Sequence, residues 1–502
     1  MPGQAASVHR VAISGRLPQF FHSFCNRAMS ALWFIAITSI LLSLSPAIIH
    51  AQQTTGDQVN RFVWNAGVSR EIITPEKAVW LAGYGTRRVP DGKLHDLWMK
   101  ALALEDSAGH RVVLITSDFQ GVPKSMSDRV FASLKQKHNL DRTQVMLTFS
   151  HNHCGPRLGD DLVDYYPVEA EQVALVEEYT ATMVERCVKL VGDALSRLAP
   201  ASLQEGRGQT TFAVNRRNNV EADVPALLEK GEPLKGPVDH SVPVLTVTRP
   251  DGKLEAVLFG YACHPTTLSF LTWCGDYPGF AQLAIEQHHP GVTAMFVNTC
   301  GGDQNPLPRR SVELCQRYGN MLATAVEETL QQPLKPIRSQ VTTSFKLVDL
   351  PYLKTVGREE LNALLQDRSP IKARWALRML QQLDEGIIFP RAYPYPIHAW
   401  QLGDQTLMIG MGAETVVDYA LRFKREFGES TWVCGYADDM IAYIPSRRVW
   451  NEGGYEGGSN LYEYGRPAFR WSGEIEDIIA KTVHELVEQI RSDGSGIQDQ
   501  DR

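Results

Sequence analysis

Several apolar runs in this sequence stop abruptly at side chains that can bind a metal or move a proton. Thr148-Phe149-Ser150-His151-Asn152-His153-Cys154-Gly155-Pro156 closes one run with two histidines two apart. In an extended chain that spacing puts both imidazoles on one side, so a single ion could take both; hydrogen-bonded loop histidines are the plain alternative. A second run, Leu254 to Ala262, ends at Cys263-His264-Pro265-Thr266-Thr267, where proline fixes the backbone beside an imidazole that could equally be a satisfied core residue. A third ends at Val297-Asn298-Thr299-Cys300-Gly301-Gly302-Asp303-Gln304-Asn305-Pro306. Its glycines would let backbone amides approach a ligand, or it is a tight turn whose Asp and Asn bond their own backbone. Glu414, in Met411-Gly412-Ala413-Glu414-Thr415, stands between an expected strand and an expected helix, where a carboxylate faces the first turn. Tyr436, Tyr443 and Tyr455 lie in a stretch dense in Gly and Tyr from Trp432 to Tyr464, and could simply pack a loop. Two histidines and a glutamate on separate strand ends make a donor set for zinc with a position open for water, although other first-row metals accept the same ligands.

The elements that must position these residues are legible from periodicity. Val112-Val113-Leu114-Ile115-Thr116, Gln144-Val145-Met146-Leu147-Thr148, Val242-Pro243-Val244-Leu245-Thr246-Val247 and Ala294-Met295-Phe296-Val297 read as strands buried on both faces. Val173, Val176, Met183, Cys187, Leu190, Val191, Ala194 and Leu198 recur at helical spacing, as do Ile475, Ile478, Ile479, Val483, Leu486, Val487 and Ile490. A helix lying on a sheet must bury one face, so both stripes are assigned to core. The expected class is α/β, or mixed α+β, with large sheets covered by helices.

The chain has 502 residues, 43% apolar and 21% charged, which excludes a disordered chain and a multi-span membrane protein. Fifty Lys and Arg against 57 Asp and Glu leave a net charge of −7, so no basic face is offered to nucleic acid. No protein partner is implied. Arg10, Arg16 and Arg27, the apolar run Ala31 to Leu44, and then Pro46 to Ala51 follow the order of a secretory signal peptide cut after Ala51, or of an uncleaved signal anchor. Residues 1–51 are therefore assigned to export, 52–61 to a linker, 62–493 to one catalytic-sized domain and 494–502 to a flexible tail. Seven cysteines follow the leader in no disulfide framework, and are expected as buried small hydrophobes.

Taken in order, the motifs resemble those of the neutral ceramidases. They run from Ala66-Gly67-Val68-Ser69-Arg70 and Ser117-Asp118 through the His151 to Pro156 stretch, Asn215-Arg216, His264-Pro265-Thr266, Gly302-Asp303, Gly412-Ala413-Glu414 and Tyr443-Ile444 to Tyr455-Glu456-Gly457. The resemblance spans roughly residues 62 to 493. It implies a zinc-dependent hydrolase that cleaves the N-acyl amide of ceramide to sphingoid base and fatty acid, with one Zn2+ per chain held by His151, His264, Glu414 and Tyr443. It further implies that His153 supports the site, Arg216 holds the substrate or its carboxylate product, and Tyr455 hydrogen-bonds the developing oxyanion. A ceramide-like substrate would allow peripheral contact with a membrane.

Two departures from the family matter. The family pattern carries a serine with an assigned catalytic role where this chain has Asn305, in Gly302-Asp303-Gln304-Asn305-Pro306. An amide is no nucleophile, which leaves metal-activated water as the attacking group. The family also carries a C-terminal immunoglobulin-like domain, for which this sequence has no counterpart after its last expected helix. Two other readings therefore stand beside ceramide hydrolysis: a zinc hydrolase of another small amide or ester, and a degenerate site that binds a lipid or glycan without turning it over.

Overall fold

The computed structural model describes residues 63–498, all within Thr54–Arg502, one of the two compact units of the chain. The expected leader (1–51) and linker (52–61) lie outside the described residues. A nine-stranded mixed sheet forms the centre. Its path uses β1 (Trp64–Ile72), β2 (Trp98–Glu105), β3 (Arg111–Ser117), β4 (Val145–Phe149), β5 (Ala199–Gln209), β6 (Ser241–Thr248), β7 (Leu254–Tyr261) and β8 (Thr293–Asn298), in the order β8-β7-β6-β5-β1-β2-β3-β4, and the short Lys335–Pro336 strand also pairs with β5. The pairs at the two ends, β8 with β7 and β3 with β4, are parallel; those between are antiparallel. A second sheet runs β9 (Val341–Pro351), β10 (Ala392–Leu402), β11 (Thr406–Met411) and β12 (Trp432–Cys434).

The expected strands are present and are buried on both faces, for a reason the sequence did not show. Val113 and Ile115 of β3 face a layer of helices, while Val112 and Leu114 meet Trp400, Leu402, Met408 and Trp432 of the second sheet. Side chains alternate along a strand, so a continuous apolar run marks a strand with a packed layer on each side. Each fully buried Val, Leu or Ile contributes about 1.5–3 kcal/mol. The outer helices include α1 (Lys124–His138), α2 (Ala170–Ser196), α3 (Asp276–His288) and α4 (Val312–Leu330) on the large sheet. A hairpin of α5 (Arg358–Leu364) and α6 (Pro370–Asp384) packs its own core around Trp375, and α7 (Val417–Phe427) lies against β12. α8 (Ile475–Gln498) covers β9 and β10. The layers are thus helix, sheet, sheet, helix, rather than one sheet between helices.

Both predicted helical stripes are core. Val176, Met183, Cys187, Leu190, Val191 and Ala194 are buried on α2, and Ile479, Val483, Leu486, Val487 and Ile490 on α8. α8 continues to Gln498, past the end expected near Ile490, so the beginning of the assigned tail is helical and residues 499–502 lie outside the described residues. All seven cysteines are free and buried, as expected. Among the described residues no helix is long and apolar enough to cross a membrane.

Sheet twist brings the chemistry together. A right-handed twist of about 20° at each pairing accumulates across eight strands to roughly half a turn, so strands at opposite ends can present their C-terminal ends to one place. Asn298, the last residue of β8, donates to the Ser150 carbonyl just past β4 at 2.9 Å.

Candidate metal centre

His151 follows β4, His264 follows β7 and Glu414 follows β11, and the three converge. One donor atom from each lies within 4.8 Å of the others, in a group buried on all sides; no other such group of His, Cys, Asp or Glu occurs among the described residues. His151 does not sit in extended chain as the two-apart spacing suggests, but in the left-handed region at φ 65°. That turn points its ring back over the end of β3, where Nδ1 lies 2.7 Å from the Gln120 carbonyl. The Nδ1 of His264 lies 2.7 Å from the Gly301 carbonyl. A carbonyl only accepts, so each Nδ1 carries a proton, and a neutral ring then presents its Nε2 lone pair.

Those lone pairs face an oxygen of Glu414. Oε2 lies 3.1 Å from His151 Nε2 and 2.8 Å from His264 Nε2. Burial and the nearby Arg216 guanidinium push the His264 pKa down to about 4, so its ring is neutral near pH 7. Burial alone would raise the Glu414 carboxyl, but His151 and His264, when they carry protons on Nε2, outweigh it and hold the group well below its usual range. A neutral imidazole lone pair and a carboxylate oxygen aimed at one point repel unless a proton or a metal cation lies between them. Two imidazoles with their second nitrogens tied to backbone carbonyls are also the form in which histidine binds metal, so the donor set fits zinc.

The remaining expected residues surround this point. Glu414 lies in a two-residue strand parallel to Tyr443-Ile444, with Glu414 and Tyr443 in register, and the Tyr443 hydroxyl is 3.2 Å from His264 Nε2. The first-turn reading of Glu414 fails, because α7 begins at Val417 and its first N–H is taken by Asp303 at 2.8 Å. Arg216 donates from Nη2 to the Tyr443 hydroxyl at 3.0 Å, from Nη1 to Asn305 Oδ1 at 3.3 Å and from Nε to Glu456 at 2.8 Å. Asn305 is held opposite Val214, two positions before Arg216, by a short antiparallel pairing. His153 Nε2 is 3.1 Å from His151 Nε2, its Nδ1 is buried without a partner, and its ring lies 4.8 Å from that of Tyr84. Tyr455 is 44% exposed and donates its hydroxyl to Glu463 at 2.7 Å, while its ring stands 5.2 Å from that of Tyr443. It is a mouth residue whose hydroxyl is engaged outside the cluster. Tyr436 packs 5.0 Å from the His151 ring.

The Gly301-Gly302 pair serves chain packing rather than backbone contact with a ligand. A Cβ on Gly301 would fall 2.7 Å from the Cys263 nitrogen, and one on Gly302 would fall 2.7 Å from the Glu414 carbonyl. Only glycine lets these segments close up, with the Gly302 N–H on the Thr415 carbonyl at 2.9 Å.

Three contributors escaped sequence reasoning. Tyr464 donates its hydroxyl to Glu414 Oε1, Glu456 anchors Arg216 and Arg217, and Gln120 supplies the carbonyl that orients His151. Tyr464 closes the Gly- and Tyr-dense stretch and Glu456 follows Tyr455, so position was their signal; the role of Gln120 rests on its backbone and had none.

Comparison with known proteins places the chain in a family. The model of the neutral/alkaline non-lysosomal ceramidase N-terminal region matches residues 64–354, which include His151, Arg216 and His264 but stop short of Glu414 and Tyr443. The neutral ceramidase of Pseudomonas aeruginosa is 22% identical over 507 residues, covering 85% of this chain and 73% of that protein. Its crystal structure superposes with a TM-score of 0.62 at 20% identity over 80% of this chain and 73% of that one. A ceramidase complexed with C2 gives 0.61 at 20% identity over 80% and 74%. The chain belongs to the neutral/alkaline non-lysosomal ceramidase family.

Proposed function

We propose that this protein is an exported, zinc-dependent amidohydrolase that cleaves the N-acyl amide of ceramide or a closely related N-acyl lipid. The observation that carries the reading is the convergence of the His151 and His264 Nε2 atoms on one oxygen of the buried Glu414 carboxylate, with each ring's Nδ1 tied to a backbone carbonyl. His151, His264, Glu414 and Tyr443 hold one zinc ion. When bound, zinc polarises a carbonyl and lowers the pKa of a water to about 7.

The chain's own residues do the rest. Arg216, fixed by Glu456 and Asn305, orients the Tyr443 hydroxyl and places a positive charge beside the reacting amide. Tyr455 supplies a hydrogen bond to the carbonyl oxygen as charge develops there, once its hydroxyl turns from Glu463. His153 walls the site beside His151 and, with Tyr84, limits water. Asn305 offers an amide where a hydroxyl would be needed for acyl transfer, so no acyl-enzyme forms there.

The rim suits a substrate that resides in a bilayer. Tyr84, Val89, Phe270 and Leu271 are exposed on neighbouring loops joined by Arg88, which donates to the carbonyls of His153 and Phe270. Export is supported by the arginine, apolar and small-residue order of residues 1–51.

The test is metal analysis of the chain starting near Gln52, purified without added zinc, together with ceramide turnover. About one zinc per chain, and hydrolysis abolished by a chelator and restored by zinc, are expected. Absence of metal after zinc is offered, with ceramide bound but unchanged, would overturn the reading in favour of a binding protein. Turnover of short N-acyl substrates alone would keep the chemistry and replace the substrate.

A further inference from the structure

The chain leaves the metal centre through a loop, residues 155–168, that carries a second buried cation. Arg157 is 8% exposed, yet its guanidinium makes no hydrogen bond or ion pair among the described residues, and its Nε is buried without a partner. It is supported only by the Tyr166 ring, 4.3 Å away. A buried charge without a partner is costly, and proteins keep such groups where something binds them. Asp161, the acid that acts on it, makes no ion pair with it, and burial pushes the Asp161 carboxyl up to about 7 despite Arg157, so it neutralises the guanidinium incompletely.

Arg157 lines a cavity of about 390 Å³ between this loop, the first two turns of α1 and the N-terminal third of α2. None of His151, His264, Glu414 or Tyr443 lines it. Arg129, exposed and without an ion pair among the described residues, stands on its α1 wall with Ser125, and the first turn of α1 has no side-chain cap. Val163, Val168 and Val176 give the cavity an apolar side, with Val168 77% exposed. Asp160 and Glu177, both exposed at the edge, make it hostile to a polyanion.

We propose that this cavity is a second ligand site, distinct from the metal centre, which takes a single-chain carboxylate amphiphile with its head on Arg157 and Arg129 and its chain along Val163, Val168 and Val176. The size suits a medium-length chain, within the ordinary range for small-molecule sites. The inference does not depend on the identity of the metal or of the substrate.

Calorimetric titration of octanoate into the full chain, with and without a chelator, tests it. One octanoate is expected to bind per chain whether or not metal is present. Arg129→Gln, on the surface, weakens binding about tenfold, as loss of one charge-assisted contact should. Arg157→Met abolishes it, and acetate binds at least about tenfold more weakly than octanoate because it lacks the chain. Octanoate binding that vanishes with the metal would place the ligand at the metal centre and overturn the proposal. So would an affinity unchanged in Arg129→Gln, which decides the matter even where Arg157→Met does not fold. Acetate binding as tightly as octanoate would overturn the amphiphile.

Discussion

Arg216 and Arg157 are both withdrawn from water, and they differ in their partners. The Arg216 side chain, 20% exposed, has a carboxylate, an amide and a phenol on its three nitrogens. Arg157 has an aromatic face and a buried Nε without a partner. A saturated guanidinium is fixed in direction and can orient other groups before substrate arrives, which is what an electrostatic catalyst requires. An unsaturated one stores a desolvation cost that a ligand can relieve. The contrast separates a region assembled for chemistry from one assembled for binding.

The sharpest separation comes from His264→Ala. Loss of this ligand should drop zinc from about one per chain to near none and hydrolysis by at least about a thousandfold, in line with several kcal/mol of Lewis-acid stabilisation. Octanoate binding should be untouched. A variant that retained zinc and turnover would break the assignment of the centre.

The arginines can then be exchanged for neutral residues. Arg216→Gln should lower kcat about a hundredfold with zinc retained, and cost about 2 kcal/mol in urea unfolding, because Tyr443 and Asn305 lose their donor while Glu456 keeps only Arg217. Arg157→Leu should leave kcat unchanged and alter stability by less than about 1 kcal/mol, or raise it, because no ion pair is broken. Equal destabilisation by the two variants would erase the contrast.

Tyr455→Phe removes a hydroxyl from the mouth, so kcat should fall about tenfold with metal content constant. A parallel loss of zinc would show that the residue holds the centre rather than the transition state. Asn305→Ser restores the hydroxyl of the family pattern without displacing Arg216. If water is the attacking group, kcat should change by less than about threefold; a large gain, or a trapped acyl-enzyme, would contradict that.

The smallest effect is on pH dependence. In chelated protein, His264 takes a proton only near pH 4, against a value of 6.5 in the unfolded chain. Between those values the unfolded state binds the extra proton, so this residue's contribution makes stability fall as pH drops from 6.5 to 4. Urea midpoints of the chelated protein across that window should show a shallower slope in His264→Ala, by at most about one proton.

Much of this was legible without coordinates. Apolar runs such as 112–116 and 294–297 required layers on both sides, and the stripes on α2 and α8 required a face to bury, because side-chain periodicity follows from local backbone geometry. The abrupt polar ends of those runs marked His151, His264 and Glu414, since a polar group that ends a buried strand needs a partner. Even the absence of a nucleophile at Asn305 is a property of residue type alone.

The tertiary structure decided what those ends meet. That two sheets face each other inside the helices, and that twist carries β4 and β8 to one place, depend on packing between segments far apart in the chain. So does the register that sets Glu414 beside Tyr443, and so do the backbone carbonyls of Gln120 and Gly301 that fix the imidazole tautomers. Arg216 and Arg157 are the same residue in the sequence; only the neighbours supplied by the fold leave one satisfied and the other open.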